Sequence, residues 1–120
     1  MNHEITLSEA VAMTTRFRSY KESILKTEYQ NEDILPVCET FEKLSVEALL
    51  SQGGATHLRI YYGMDSEYKV HAILVGADST GADILPEENS NLLQDPTGVI
   101  LEDAQRCPPY CPPTSPLNDD

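Results

Sequence analysis

The sequence predicts an α+β fold, two helices packed on a small antiparallel meander with an irregular tail, and three observations carry that reading. Apolar residues recur every three to four positions up to about residue 52, the recurrence drops to two from Thr56 onward, and prolines crowd the stretch from Cys107 to Asp120.

The first helix is predicted over 7–26. Thr6-Leu7-Ser8-Glu9 has the capping-box spacing, in which the Thr6 hydroxyl satisfies an amide left unbonded at the helix start. Leu7, Ala10, Val11, Thr14, Phe17, Tyr20, Ile24 and Leu25 then form one stripe, with Arg16, Arg18, Lys21 and Glu22 mostly off it. Residues 27–40 read as a connector, because Pro36 lacks an amide donor and restricts Leu35. A shorter helix is predicted over 42–52, with Phe41, Leu44, Ala48 and Leu49 as its apolar face and Gly53-Gly54 as a left-handed stop.

Strands are predicted at about 56–63 and 67–76. Leu58, Ile60 and Tyr62 alternate with His57, Arg59 and Tyr61, and Tyr68, Val70, Ala72 and Leu74 alternate with Lys69, His71, Ile73 and Val75. The two apolar faces must coincide, since a slip of one residue reverses a whole strand. A loop at Met64-Asp65-Ser66 meets that condition. It sets Tyr62 against Tyr68, Ile60 against Val70, Leu58 against Ala72, Arg59 against His71 and Tyr61 against Lys69. Asp78-Ser79-Thr80-Gly81 has the composition of a second hairpin turn, leading to a short third strand at 82–85. A helical turn at Leu92-Leu93 and a further short strand at Gly98 to Leu101 complete the reading. Residues 1–105 are expected to form one domain, and 106–120 a Pro- and Cys-rich extended tail.

Composition narrows the partners. Twenty acidic against eight basic residues give a net charge of −12, which disfavours docking on a phosphate backbone or an anionic bilayer. Nucleic acid and membrane are therefore not expected as partners. The longest uncharged apolar run, Ala72 to Ala77, is far below the ~20 residues that cross a bilayer. The amino terminus lacks the basic and apolar regions of a secretory signal, so a cytoplasmic location is expected. Three cysteines, an odd number, favour reduced thiols, and a single bridge would leave one thiol free.

The string Leu58-Arg59-Ile60-Tyr61-Tyr62-Gly63-Met64-Asp65, followed by Val70-His71-Ala72-Ile73-Leu74-Val75-Gly76 and the terminal Arg106-Cys107-Pro108-Pro109-Tyr110-Cys111, resembles a group of small proteins found in Bacteroidota. The likeness spans about residues 5–117. It implies no activity, cofactor or catalytic residue.

Two clusters are candidate sites. His57, Arg59, Tyr61, Lys69 and His71 share one hairpin face, where arginine can fork onto a carboxylate or phosphate and histidine can donate or accept near neutral pH. The same face can equally be neutralised internally or lie under the tail or a partner. Three residues separate Cys107 from Cys111, and Cys38 is the third thiol. They can pack, close a small disulfide loop, or hold zinc if histidines such as His3, His57 or His71 complete a four-ligand set. A cysteine nucleophile would need a base within reach, and nothing local places Cys38 near His57 or His71. Asp78 to Asp83 lacks the acidic spacing of a calcium loop. Phosphate-loop, His-Glu-x-x-His and dinucleotide motifs do not occur.

The functional expectation is a small acidic, non-catalytic interaction protein without a cofactor, acting as adaptor, inhibitor or assembly component through the hairpin face and the tail. Its partner would be another protein or a second copy, with Ile73, Val75 and the tail prolines as contacts. The alternative is a metal- or thiol-dependent site at Cys107, Cys111 and the strand histidines, redox or hydrolytic. An inhibitor that mimics nucleic acid rests on charge alone.

Overall fold

The computed structural model describes residues 2–86 and 99–119. The expected turn at Leu92-Leu93 lies outside them. The chain forms two compact units, one of Met1–Glu39 with Arg106–Asp120 and the other of Thr40–Gln105. The proline-rich residues thus belong with the amino-terminal part of the chain.

In the first unit, α1 (Leu7–Tyr20) starts as its capping signal predicts. The Thr6 hydroxyl accepts the Glu9 amide at 3.0 Å and donates to the Glu9 carboxylate at 3.0 Å. The helix is shorter than the expected 7–26. Past Tyr20 the side chains bond to a returning segment: the Glu22 carboxylate accepts the Asn31 amide at 2.6 Å, and Lys21 Nζ donates to the Leu35 carbonyl at 3.1 Å. Asn31 and Asp33 take left-handed φ values of 63° and 57° in the reversal, which holds a 3-10 turn at Thr27–Tyr29. Ile34 and Cys107 are buried in this unit, and the guanidinium of Arg106 donates to the carbonyls of Asp33 and Ile34. Two short strands, β1 (Cys38–Thr40) and β6 (Gln105–Cys107), pair as a ribbon.

The second unit is a four-stranded antiparallel sheet of β2 (His57–Met64), β3 (Val70–Ala77), β4 (Asp83–Ile84) and β5 (Ile100–Leu101). β2 pairs with the whole length of β3. On β3's other edge, β4 bonds at Gly76 and Ala77, and β5 at Leu74 and Val75. That double flanking buries the second half of β3, from Leu74 to Ala77. α2 (Lys43–Leu50) covers this region, with the Leu49 side chain fully buried. Its inward face runs through Val46, Leu49 and Gln52. Leu44, expected on that face, is 78% exposed, because a two-turn helix anchored by Leu49 turns the Leu44–Ala48 line outward. The helix ends before the expected 52, at Leu50, with Ser51 in a right-handed cap whose amide bonds the Glu47 and Leu49 carbonyls; Gly54, at φ 86°, turns the chain left-handed three residues beyond that cap.

The hairpin faces agree with the expectation, but the partners do not. Tyr62 lies opposite Ala72, Ile60 opposite Leu74, Arg59 opposite Val75 and Tyr61 opposite Ile73. Parity is kept, so each side chain stays on its expected face, while every cross-strand neighbour changes. Turn chemistry is the cause. The Asp65 carboxylate accepts the Glu67 and Lys69 amides at 2.8 and 3.1 Å, and the Asp65 amide donates to the Lys69 carbonyl at 3.0 Å. The loop is therefore Ser66-Glu67-Tyr68, with Tyr68 left-handed at φ 69°, the three-residue hairpin loop that follows a type I turn with such a residue. The β3–β4 turn repeats the device. Asp78 accepts the Thr80 and Ala82 amides, its own amide donates to the Ala82 carbonyl, and Gly81 takes the left-handed place at φ 89°.

Candidate functional site

The predicted cluster is divided by the observed pairing. Arg59 and Tyr61 point from β2 across β3 to Asp83 on β4: Arg59 Nη1 donates to Asp83 Oδ1 at 2.6 Å and to the Gly81 carbonyl at 2.9 Å, and the Tyr61 hydroxyl donates to Asp83 Oδ2 at 2.6 Å. One carboxylate thus takes both side chains. Its pKa lies below the ordinary carboxylate range, through the Tyr61 hydrogen bond first and Arg59 second, while the same bond raises the Tyr61 phenol.

His71 belongs to a second group. Its Nε2 lies 2.7 Å from Asp65 Oδ2 and its Nδ1 3.5 Å from Glu102 Oε1, just past β5. This bond, followed by the Lys69 and Glu67 amides, holds the Asp65 carboxyl below its usual range. A recess of about 220 Å³, lined by Gly63, Met64, Asp65, His71, Ile73 and Glu102, opens beside the imidazole. Lys69 contributes its backbone to the turn, and His57 Nδ1 meets the Thr56 hydroxyl at 2.7 Å. Arg59 and His71 are not neighbours. β3 places Val75 opposite Arg59, and Gly63 lies opposite His71. Both are engaged by carboxylates of the same unit.

Asp65, Asp83 and Glu102 complete these groups and were absent from the sequence-derived set. Asp83 had a readable signal: it flanks the second turn on the odd-numbered face that carries Arg59 and Tyr61. Glu102 reaches His71 only through the β3–β5 pairing, which no local pattern announces.

These carboxylates set an acid response. A carboxyl whose pKa is depressed by folding contributes stability above its unfolded value near ~3.9 and loses it as pH falls through the lower folded value. Asp65, Asp78 and Asp83 are all depressed. The urea midpoint is therefore expected to fall as pH drops below about 4. Asp65→Asn with Asp83→Asn should flatten that fall. An equally steep acid limb in the double variant would place the acid sensitivity elsewhere.

The outer edge of β2 is the other feature of this unit. No strand pairs with it among the described residues. Since the Asp65 amide points inward to Lys69, alternation turns the amides and carbonyls of Leu58, Ile60, Tyr62 and Met64 outward. Their side chains share one face and are exposed, Tyr62 at 79%. Val75, expected as a contact residue, is buried instead, because β2 and β5 flank it.

The thiols are not all reduced, as the odd count had favoured. Cys107 and Cys111 form a disulfide with their α carbons 4.5 Å apart, and Cys38 is the free thiol. A turn closed by the Tyr110 amide on the Arg106 carbonyl at 2.9 Å brings the two cysteines together, a reversal that the proline-rich composition did not announce. Among the described residues no group of three or more His, Cys, Asp or Glu side chains is arranged to hold a metal ion, and no helix is long and apolar enough to cross a membrane.

Fold and site define a small α+β protein with a carboxylate-locked hairpin and, among the described residues, a sheet edge that no strand pairs. No protein-family model matches the chain, and no curated protein or solved structure matches it.

Proposed function

We propose that this chain is an interaction protein that assembles with a second copy of itself by pairing β2 strands. The carrying observation is the eight-residue β2, whose outer edge no strand pairs among the described residues, with Leu58, Ile60, Tyr62 and Met64 exposed beside it. A long apolar edge of this kind is a template for strand addition unless a partner covers it. A second copy fits such an edge by construction: two β2 strands running antiparallel about a two-fold axis meet with the same outward amides and carbonyls and the same apolar row. The Arg59–Tyr61–Asp83 and His71–Asp65 groups then serve to stiffen the hairpin that presents the edge.

Light scattering across a concentration series tests this. The unmodified chain is expected to dimerise, and Ile60→Lys with Tyr62→Lys to weaken association by more than about tenfold while leaving the circular dichroism spectrum unchanged. A strict monomer, or a dimer indifferent to both lysines, would remove the proposal.

A further inference from the structure

We propose that the Cys107–Cys111 bridge is a thiol–disulfide exchange site that oxidises a pair of thiols in an extended peptide. This reading does not depend on β2 pairing. Four observations within the first unit support it.

The two cysteines are unequally accessible: Cys107 is 4% exposed, whereas Cys111 is exposed. An incoming thiolate therefore meets one sulfur of the bridge, and the other is placed to leave. The bridge also closes a very short loop. Only three residues intervene and two are prolines, so the cross-link removes little freedom from the unfolded chain and has little structural work to do. The loop is also held by backbone bonds in which the sulfurs take no part. The Tyr110 amide donates to the Arg106 carbonyl at 2.9 Å, and the Val37 amide to the Cys107 carbonyl at 2.9 Å. Lastly, an open groove of about 670 Å³, lined by Val11, Thr15, Thr114, Ser115, Pro116 and Asp119, begins three residues beyond Cys111. Val11 and Pro116 offer apolar contact and Thr15, Thr114 and Ser115 offer hydroxyls, a lining that suits an extended peptide segment.

The exchange balances as follows. One substrate thiolate attacks Cys111 Sγ, the Cys107–Cys111 bond breaks, and Cys107 leaves as a thiolate that takes up a proton. The second substrate thiolate attacks the substrate sulfur of the mixed disulfide and releases Cys111 as a thiolate, which takes the other proton. Two electrons pass from the substrate dithiol to the bridge, and the substrate leaves with its own disulfide.

The test uses the full chain carrying Cys38→Ser, so that only this pair reports. In glutathione redox buffers the native protein is expected to interconvert between bridge and dithiol with its circular dichroism spectrum unchanged, and the oxidised form to convert a peptide with two cysteines to its disulfide. Adding Cys107→Ser should trap one glutathione on Cys111, whereas adding Cys111→Ser should slow adduct formation by at least about tenfold, because the remaining sulfur is buried. The unmodified chain, followed by mass in the same buffers, separates the redox behaviour from any folding defect of the variants. A bridge that opens only when denaturant unfolds the protein, or equal adduct formation at both cysteines, would overturn the proposal.

Discussion

Leu49→Ala is expected to destabilise the protein by about 2–5 kcal/mol, read as a lower urea midpoint at an unchanged denaturant slope. Leu49 is completely buried between α2 and the flanked half of β3, so truncation removes its transfer energy and leaves a cavity that a two-turn helix has few contacts to collapse into. Domains of this size are stable by about 5–15 kcal/mol, which makes the loss a large share of the total. Leu44→Ala is the internal comparison. Leu44 is mostly exposed on the same helix and should change stability by no more than about 0.5 kcal/mol. Equal losses at the two positions would mean that α2 presents another face to the sheet.

Gly76→Val is expected to cost about 1–3 kcal/mol through overpacking, the next largest effect. Gly76 lies beneath the end of α2. A Cβ there would stand 3.2 Å from Gln52 Nε2 and 3.6 Å from both the Ala55 Cβ and the Leu49 carbonyl oxygen. Gln52 Nε2 already donates to that carbonyl at 2.7 Å, so it gives way only by breaking a bond that closes the helix. The branched methyls of valine then press on the backbone of α2 as well as on the glutamine. Thermal or urea unfolding checks the value, with Gly76→Ala expected to fall between the valine variant and the native chain. A neutral valine variant would show that the helix end lifts freely from the strand.

The order of elements was legible along the chain because each rests on short-range chemistry. Thr6 and Glu9 set the start of α1, and the alternation from His57 to Ala77 fixed which side chains share a face. The register was not read, although its determinants are local. Asp65-Ser66 and Asp78-Ser79 open two turns of one kind, and that correspondence places the first loop at Ser66-Glu67-Tyr68. Tyr68 in a left-handed conformation obscured it, since that place usually belongs to glycine or asparagine.

What the sequence determined by itself is the α+β composition, the strand faces, the acidic charge and the excess of one cysteine. Tertiary structure decided where α1 stops, because Lys21 and Glu22 bond residues far beyond the helix. It decided that Leu49 rather than Leu44 is core, since a short helix takes its rotation from the sheet it covers. It also decided that Arg59 meets Asp83 while His71 meets Asp65 and Glu102. The Asp65 contact follows from the hairpin register, and the Asp83 and Glu102 contacts from strand pairing over long separations; periodicity carries the face of a side chain but not the identity of the residue across from it.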